Sequence, residues 1–297
     1  MKKKYGILAY PAVHSLSPVM HNAGFKELGI DAEYVVFERK PEELGAFMEQ
    51  VRAEDIAGFS VSIPHKESII AYLDDIDKDA FNIGAVNTVV NRDGVLHGYN
   101  TDWIGSNRAL SEGFVDLGEN GLMEGKVAVV LGGGGSARAV AYGLLKEGVH
   151  VWIKNRDKAK ADAIAIEFAE LFKTEIHSVP LDDMGTGDIL VNTTSAWLNY
   201  DPEMDLPTGG VFDYCDSHYL RAYQVVMDLV YKPFITPLIA AAATAYEESE
   251  GPGVGCVTGD RMLLHQAVEQ FELWTGEKAP VDAMNGALSR ALATDGY

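Results

Sequence analysis

The sequence predicts an α/β protein of two domains, and three observations point there. Short, almost wholly apolar runs alternate with stretches of helical period, as buried parallel strands and their crossover helices do. The chain has 297 residues, enough for two domains of ordinary size. The stretch Gly132-Gly-Gly-Gly-Ser-Ala-Arg-Ala139 stands between an apolar strand, Lys126–Leu131, and a helix from Ala137 to Lys146. Strand, glycine turn and helix form the context in which G-x-G-x-x-G/A means a dinucleotide site. Gly132, Gly134 and Ala137 fill its three slots: the tight turn, the close approach of a diphosphate to backbone, and helix–strand packing. The diphosphate would rest on the unpaired N–H groups of the helix start.

In chain order, Tyr5–Ala9 reads as the first strand, ended by Tyr10-Pro11. His14-Ser-Leu-Ser-Pro18 leads into a helical pattern up to Leu28, with Ser17 as N-cap and Pro18 as first helical residue. Two serines beside a helix start also offer hydroxyls to a carboxylate. A strand over Ala32–Phe37 and a helix over Glu42–Val51 follow. The next strand, Ile56–Ile63, runs into Pro64-His-Lys66 at the start of a helix. Asp74, Asp75, Asp77 and Asp79 lack the turn glycines of a calcium loop and read as a solvated face. Gly84-Ala-Val-Asn-Thr88 enters a strand at Val89-Val90, and Arg92-Asp-Gly94 turns it into Val95–Gly98, a hairpin signal. Tyr99-Asn-Thr-Asp102 then caps a helix beginning near Trp103, and Gly118–Gly125 reads as the linker into the nucleotide domain. That domain continues with strands at Val149–Ile153, Glu175–Val179, Asp188–Asn192 and Val225–Val230, and a helix at Lys158–Phe172. Ala196–Tyr223 carries no clear period, while Pro237–Glu248, Arg261–Trp274 and Pro280–Leu292 read as helices.

A hydrophobic content of 47% with 23% charged residues is that of a soluble globular chain. A formal net charge of −20 argues against nucleic acid and anionic membranes as partners. Met1-Lys-Lys-Lys4 is not followed by a long apolar segment, and no uncharged apolar run approaches a membrane span, so no membrane association is expected. Cys215 and Cys256 form neither a disulfide framework nor a metal spacing, as expected of inert thiols in a reducing cytoplasm. No metal is expected.

A nicotinamide cofactor carries its own hydride, so the protein needs one group that moves a proton at an alcohol oxygen. Lys66 is the best candidate, because it follows a proline at a strand-to-helix corner, and Asp102, at another strand end, is the best partner. A lysine beside a carboxylate keeps its charge and still hydrogen-bonds a hydroxyl. Spacing alone leaves the alternative open that Lys66 is solvated and Asp102 only a helix cap. His14 and His65 fit no nucleophile or metal pattern and are read as structural or surface residues. There is no G-x-S-x-G elbow and no HExxH.

Taken together, these motifs resemble the shikimate dehydrogenase family over nearly the whole chain, in order and spacing. The resemblance rests on His14-Ser-Leu-Ser-Pro18 with His21-Asn22, Ser60-Val-Ser-Ile-Pro-His-Lys66, Gly84-Ala-Val-Asn-Thr88 and Gly98-Tyr-Asn-Thr-Asp102. It continues through Gly132–Ala139, Asn155-Arg156, Tyr231-Lys-Pro233, Thr236-Pro-Leu238, Gln266-Ala267 and Leu273-Trp274. The resemblance implies an N-terminal α/β substrate-binding domain completed by C-terminal helices, residues 1–105 plus 237–297. Between its parts it places an inserted Rossmann-like, doubly wound NAD(P)-binding domain, residues 106–236. It implies reversible reduction of 3-dehydroshikimate to shikimate in aromatic amino acid biosynthesis, with NADP as cofactor and NAD as the alternative. Lys66 and Asp102 would be the catalytic pair. Ser15, Ser17 and Ser62 would hold the substrate carboxylate, Asn87 a ring hydroxyl, and Tyr231 and Gln266 would close the pocket. Gly132, Gly133, Gly134, Gly135 and Ser136 would bind the diphosphate; Asn155, Arg156 and Lys160 the 2′-phosphate; and Gly259 would lie near the nicotinamide. A cytoplasmic enzyme, monomer or homodimer, with a small-molecule substrate is the expectation; quinate, a modified shikimate, or a silent nucleotide-binding regulator of the same fold are the rivals.

Three positions depart from the family pattern. Ser60-Val61-Ser62 stands where Asn-Val-Thr is frequent, and the shorter side chains are expected to enlarge the substrate pocket slightly. Asp157 replaces a threonine after Asn155-Arg156, placing a carboxylate near the 2′-phosphate, although Lys154, Arg156, Lys158 and Lys160 outnumber it. Asp260-Arg261 puts a charged pair where small or apolar residues are usual.

Overall fold

The computed structural model describes residues 2–12, 15–181, 183, 185–198, 200, 208–249 and 253–294; His14 lies outside the described residues. The chain divides into two compact units, residues 1–102 with 263–297, and residues 103–262.

The first unit opens with β1 (Lys3–Ala9), α1 (Ser17–Glu27), β2 (Ala32–Glu38), α2 (Leu44–Ala53) and β3 (Gly58–Val61). It continues with β4 (Asp75–Ile76), α3 (Lys78–Ile83), β5 (Thr88–Arg92) and β6 (Val95–Tyr99). The sheet runs β2-β1-β3-β5-β6-β4, with β1 parallel to β2 and β3, and β5 antiparallel to β3 and β6. All four residues of β3 are buried, as a central strand covered on both faces requires. The β5–β6 hairpin turns on Asp93 (φ 54°) and Gly94 (φ 86°), two left-handed residues of the kind a two-residue hairpin demands. The acidic run is more than a solvated face: Asp74 accepts from Leu96 N–H and pairs with Arg52, Asp75 begins β4, and the Asp77 carboxylate caps α3.

The second unit is reached through α4 (Asp102–Asp116). It contains β7 (Val127–Leu131), α5 (Gly135–Lys146), β8 (His150–Lys154), α6 (Lys158–Phe172), β9 (His177–Val179) and β10 (Ile189–Asn192). Then come α7 (Ser217–Leu220), β11 (Val225–Asp228), α8 (Pro237–Glu247) and β12 (Gly255–Val257). The sheet is parallel throughout in the order β12-β11-β10-β7-β8-β9, so strand order reverses at β7, where open α/β sheets bind ligands. α9 (Gly259–Thr275) carries the chain back, and α10 (Val281–Thr294) packs on α1.

The return to the first unit falls at residue 263, not at the expected 237. The reason is packing: Leu238, Ala242 and Ala245 of α8 share one buried cluster with Val129, Leu190, Trp197 and Val226. β12, which the sequence did not announce, adds a sixth strand beside β11. An alanine-rich helical stripe shows that a helix is buried, not against which core it is buried.

Candidate active site

In the first unit β3 and β5 lie side by side, and their ends set the polar cluster. Val86 N–H donates to Lys66 O at 2.8 Å, and Val61 N–H donates to Asn87 O at 2.7 Å, which fixes the two loops together. Lys66 leads into a short 3-10 turn, Ser68–Tyr72, rather than the α-helix expected there. Its ammonium donates to Asp102 Oδ2 at 2.6 Å, with side-chain exposures of only 13% and 6%. Asp102 is the first residue of α4, not its cap; Asn100 Oδ1 accepts the Asp102 N–H at 3.0 Å. The carboxylate is therefore left for Lys66 and for the Asn87 amide, which donates to Oδ1 at 2.8 Å. Asn87 is 2% exposed and held in turn: its Oδ1 accepts from Thr101 N–H (2.8 Å) and the Thr88 hydroxyl (2.7 Å). A buried charge pair persists only when its remaining sites are satisfied in this way. Gln266, from α9, joins the cluster through a long contact of its Oε1 with the Asn87 amide, at 3.5 Å.

Ser17 is buried but caps nothing: Leu16 is the N-cap of α1, without a side-chain bond, and Pro18 follows inside the first turn. Instead Ser15 Oγ accepts the Ser17 N–H at 3.3 Å, so the two serines share one turn. Ser62 is half-buried at the end of β3, its N–H bonded to Leu8 O. Ser60 is buried, and its hydroxyl accepts from Tyr34 Oη at 2.6 Å and donates to Gln270 Oε1 at 2.8 Å. His65 is buried with Nε2 on Arg39 O at 2.7 Å, a structural role. Among the described residues no group of three or more His, Cys, Asp and Glu is placed to hold a metal ion.

In the second unit the glycine turn has the shape a dinucleotide needs. Gly132 adopts φ 134°, and a Cβ there would run into Thr193 Oγ1. A Cβ on Gly133 would come within 2.7 Å of Asn155 Nδ2 and 3.0 Å of Lys160 Cβ, so the turn and the end of β8 meet here. A Cβ on Gly134, the N-cap of α5, would meet open space, and Gly135 and Ser136 begin the helix, whose first N–H groups point out of its N-terminal end. A cavity of about 350 Å³ lies against Asn155, Arg156 and Lys158 on one side and Pro180, Leu181 and Gly210 on the other. The Asp157 carboxylate caps α6, accepting the Ala159 N–H at 3.2 Å, so one of its oxygens is engaged by its own helix. These residues fit a dinucleotide with a phosphorylated ribose. Tyr231 lies half-buried in the connection after β11, and a Cβ on Gly259 would meet Leu229 O and Val230 C in the same connection. Arg261 forks onto Glu112, Nε to Oε2 and Nη2 to Oε1 at 2.9 Å each, which accounts for half of the unusual Asp260-Arg261 pair. Asp260 Oδ1 is buried without a hydrogen-bond partner among the described residues.

Sequence reasoning missed Tyr34 and Gln270, and the bonds by which Ser60 and Thr88 tie them to Asn87 and Thr101 holds Asn87. The one signal that pointed to them was the density of small polar residues at strand ends.

Comparison with known proteins agrees with this geometry. The family model described as the shikimate dehydrogenase substrate binding domain matches residues 7–89, and the shikimate 5′-dehydrogenase C-terminal domain matches residues 261–288. The shikimate dehydrogenase (NADP(+)) of Thermococcus kodakarensis is 40% identical over 293 residues, covering 97% of each chain. Among solved structures, a shikimate dehydrogenase in complex with NADP+ superposes with a TM-score of 0.84 at 36% identity, covering 98% of this chain and 96% of that one. The shikimate 5-dehydrogenase of Thermus thermophilus, in complex with NADP(H) and shikimate, gives 0.79 at 33% identity, covering 98% and 100%. With both family segments matched and full-length relatives well above 30% identity, the chain belongs to the shikimate dehydrogenase family.

Proposed function

We propose that the protein catalyses the reversible NADP-dependent interconversion of 3-dehydroshikimate and shikimate, with Lys66 and Asp102 as its acid/base pair. The observation that carries the chemistry is the 2.6 Å contact between the Lys66 ammonium and the Asp102 carboxylate in a nearly dry setting. The nicotinamide, when bound, supplies or accepts the hydride at the ring carbon. The ammonium of Lys66 donates a hydrogen bond to the ring carbonyl oxygen and gives it a proton as that oxygen becomes an alcohol. Asp102 keeps the ammonium oriented before transfer, and Asn87 keeps Asp102 from turning away. Lys66, Asn87 and Asp102 hold ring hydroxyls, Ser15, Ser17 and Ser62 the carboxylate, and Gln266, in the same unit, closes on the ring.

Gly132 to Ser136 take the diphosphate. Asn155, Arg156 and Lys160 take the 2′-phosphate, and Gly259 lies by the nicotinamide. The domain roles follow: the first unit holds the hydroxylated acid and the second the dinucleotide. The free thiols Cys215 and Cys256 accord with a cytoplasmic enzyme, which we take to act as a monomer or homodimer. No helix among the described residues is long and apolar enough to cross a membrane.

Reduced-nicotinamide absorbance with shikimate or quinate, each offered with NADP or NAD, tests the assignment. Shikimate with NADP is expected to give the highest kcat/KM. Lys66→Ala should reduce turnover by about 10²–10⁴-fold with substrate affinity far less changed; near-normal turnover in that variant would remove Lys66 from the mechanism.

A further inference from the structure

Lys154, the last residue of β8, is fully buried at 0% exposure, although its neighbours Arg156, Asp157 and Lys158 are exposed. It has no carboxylate within ion-pair range among the described residues. Its ammonium donates to the backbone carbonyl of Asp183 and lies 5.8 Å from the Tyr214 ring centroid. Burial pulls its pKa below the ordinary lysine value, and the exposed Asp183 carboxylate opposes this only through space. Taking an ammonium out of water is costly, and among the described residues no carboxylate lies close enough to offset that cost.

Its position suggests a use for that charge. Tyr214, beneath the ammonium, donates to Leu181 O at 3.1 Å, and Leu181 with Gly210 forms one wall of the 350 Å³ cavity. Asn155, Arg156 and Lys158, which follow Lys154 directly, form the other. Lys154 does not line the cavity, but it adjoins both walls: it precedes Asn155 in the chain, and its ammonium lies over the Tyr214 ring that bonds Leu181. Shielded from solvent, its field is screened less than that of a surface lysine.

We propose that the buried Lys154 ammonium is a specificity-determining charge that favours a ribose 2′-phosphate in this cavity, and so selects NADP over NAD. The inference rests on the dinucleotide reading of the second unit. Lys154→Met removes the charge and keeps most of the volume. Titration of the full-length protein with NADP and with NAD, followed by calorimetry or tryptophan quenching, gives the two affinities without turnover. NADP affinity is expected to fall by about tenfold, the scale of one poorly screened charge, with NAD affinity unchanged. Equal losses for both dinucleotides would make Lys154 a structural residue and overturn the proposal, as would unchanged NADP binding. If Lys154→Met does not fold, Lys154→Gln serves the same comparison. Equal affinity of the unmodified protein for NADP and NAD would refute the cofactor reading itself, a separate failure.

Discussion

Asp228 closes β11 with no solvent exposure and, among the described residues, no cation paired to it. Its carboxylate accepts from Asn192 Nδ2 and Val230 N–H at 3.0 Å each and from the Thr236 hydroxyl at 2.8 Å. Those three bonds favour the charged form, yet desolvation outweighs them and pushes the carboxyl up to about 7, from 3.8. A raised acid binds its proton more tightly folded than unfolded, so its contribution to stability is fully present below the unfolded pKa. It is lost as pH rises towards the folded pKa. Across that window the loss is about 4 kcal/mol at about 1.4 kcal/mol per pH unit. Asp228→Asn keeps the shape and the acceptor for Asn192 and Val230 but cannot titrate. Whatever fixed cost it carries, its stability relative to the parent should improve by about 3 kcal/mol between about pH 5 and about pH 8. Urea unfolding of both proteins at several pH values reads this slope. His21, fully buried and driven down to about 3 by desolvation, destabilises the fold in acid, but it is common to both proteins and cancels in the difference. A difference independent of pH would show that Asp228 titrates as an ordinary carboxylate, and the reasoning from its burial would be wrong.

Asn87→Ala removes the amide from Asp102 and leaves the Thr101 N–H without its acceptor. We expect a stability loss of about 1–3 kcal/mol, with turnover down about tenfold or more through misorientation of Lys66 and Asp102, measured against an unchanged NADP affinity. Gly132→Ala forces a side chain into φ 134° and against Thr193, costing about 1–3 kcal/mol in strain alone. It should abolish NADP binding in a titration while leaving a folded protein by circular dichroism. Arg261→Ala breaks a well-formed fork, but both partners are about a third or more exposed, so urea unfolding should show a loss under about 1 kcal/mol.

The glycine turn, its flanking strand and helix, and the Arg92-Asp-Gly94 hairpin were legible because each needs residue types that little else explains. Lys66 and Asp102 were legible as a pair, but their contact was not, since spacing leaves a solvated lysine and a helix cap equally open. Ser17 misled for a related reason: serine before proline marks a helix start to within one residue, and here the helix begins on the serine itself. Lys154 was legible as one of the cations near the 2′-phosphate, but its burial was not, because it stands one residue past the expected strand Val149–Ile153 and its charged neighbours are exposed.

A chain with a formal net charge of −20 that holds anionic ligands presents an apparent conflict. Range resolves it. Repulsion from dispersed surface carboxylates is screened beyond about 8 Å at physiological ionic strength, whereas backbone N–H groups and nearby cations act at hydrogen-bond distance. The net charge therefore disfavours a polyanion laid across tens of ångströms of surface. It says little against a small phosphate or carboxylate that reaches a few donors. At the end of β8 the local balance is opposite in sign to the whole: Lys154, Arg156, Lys158 and Lys160 outnumber Asp157, which caps α6, and Asp162, which pairs with Lys158.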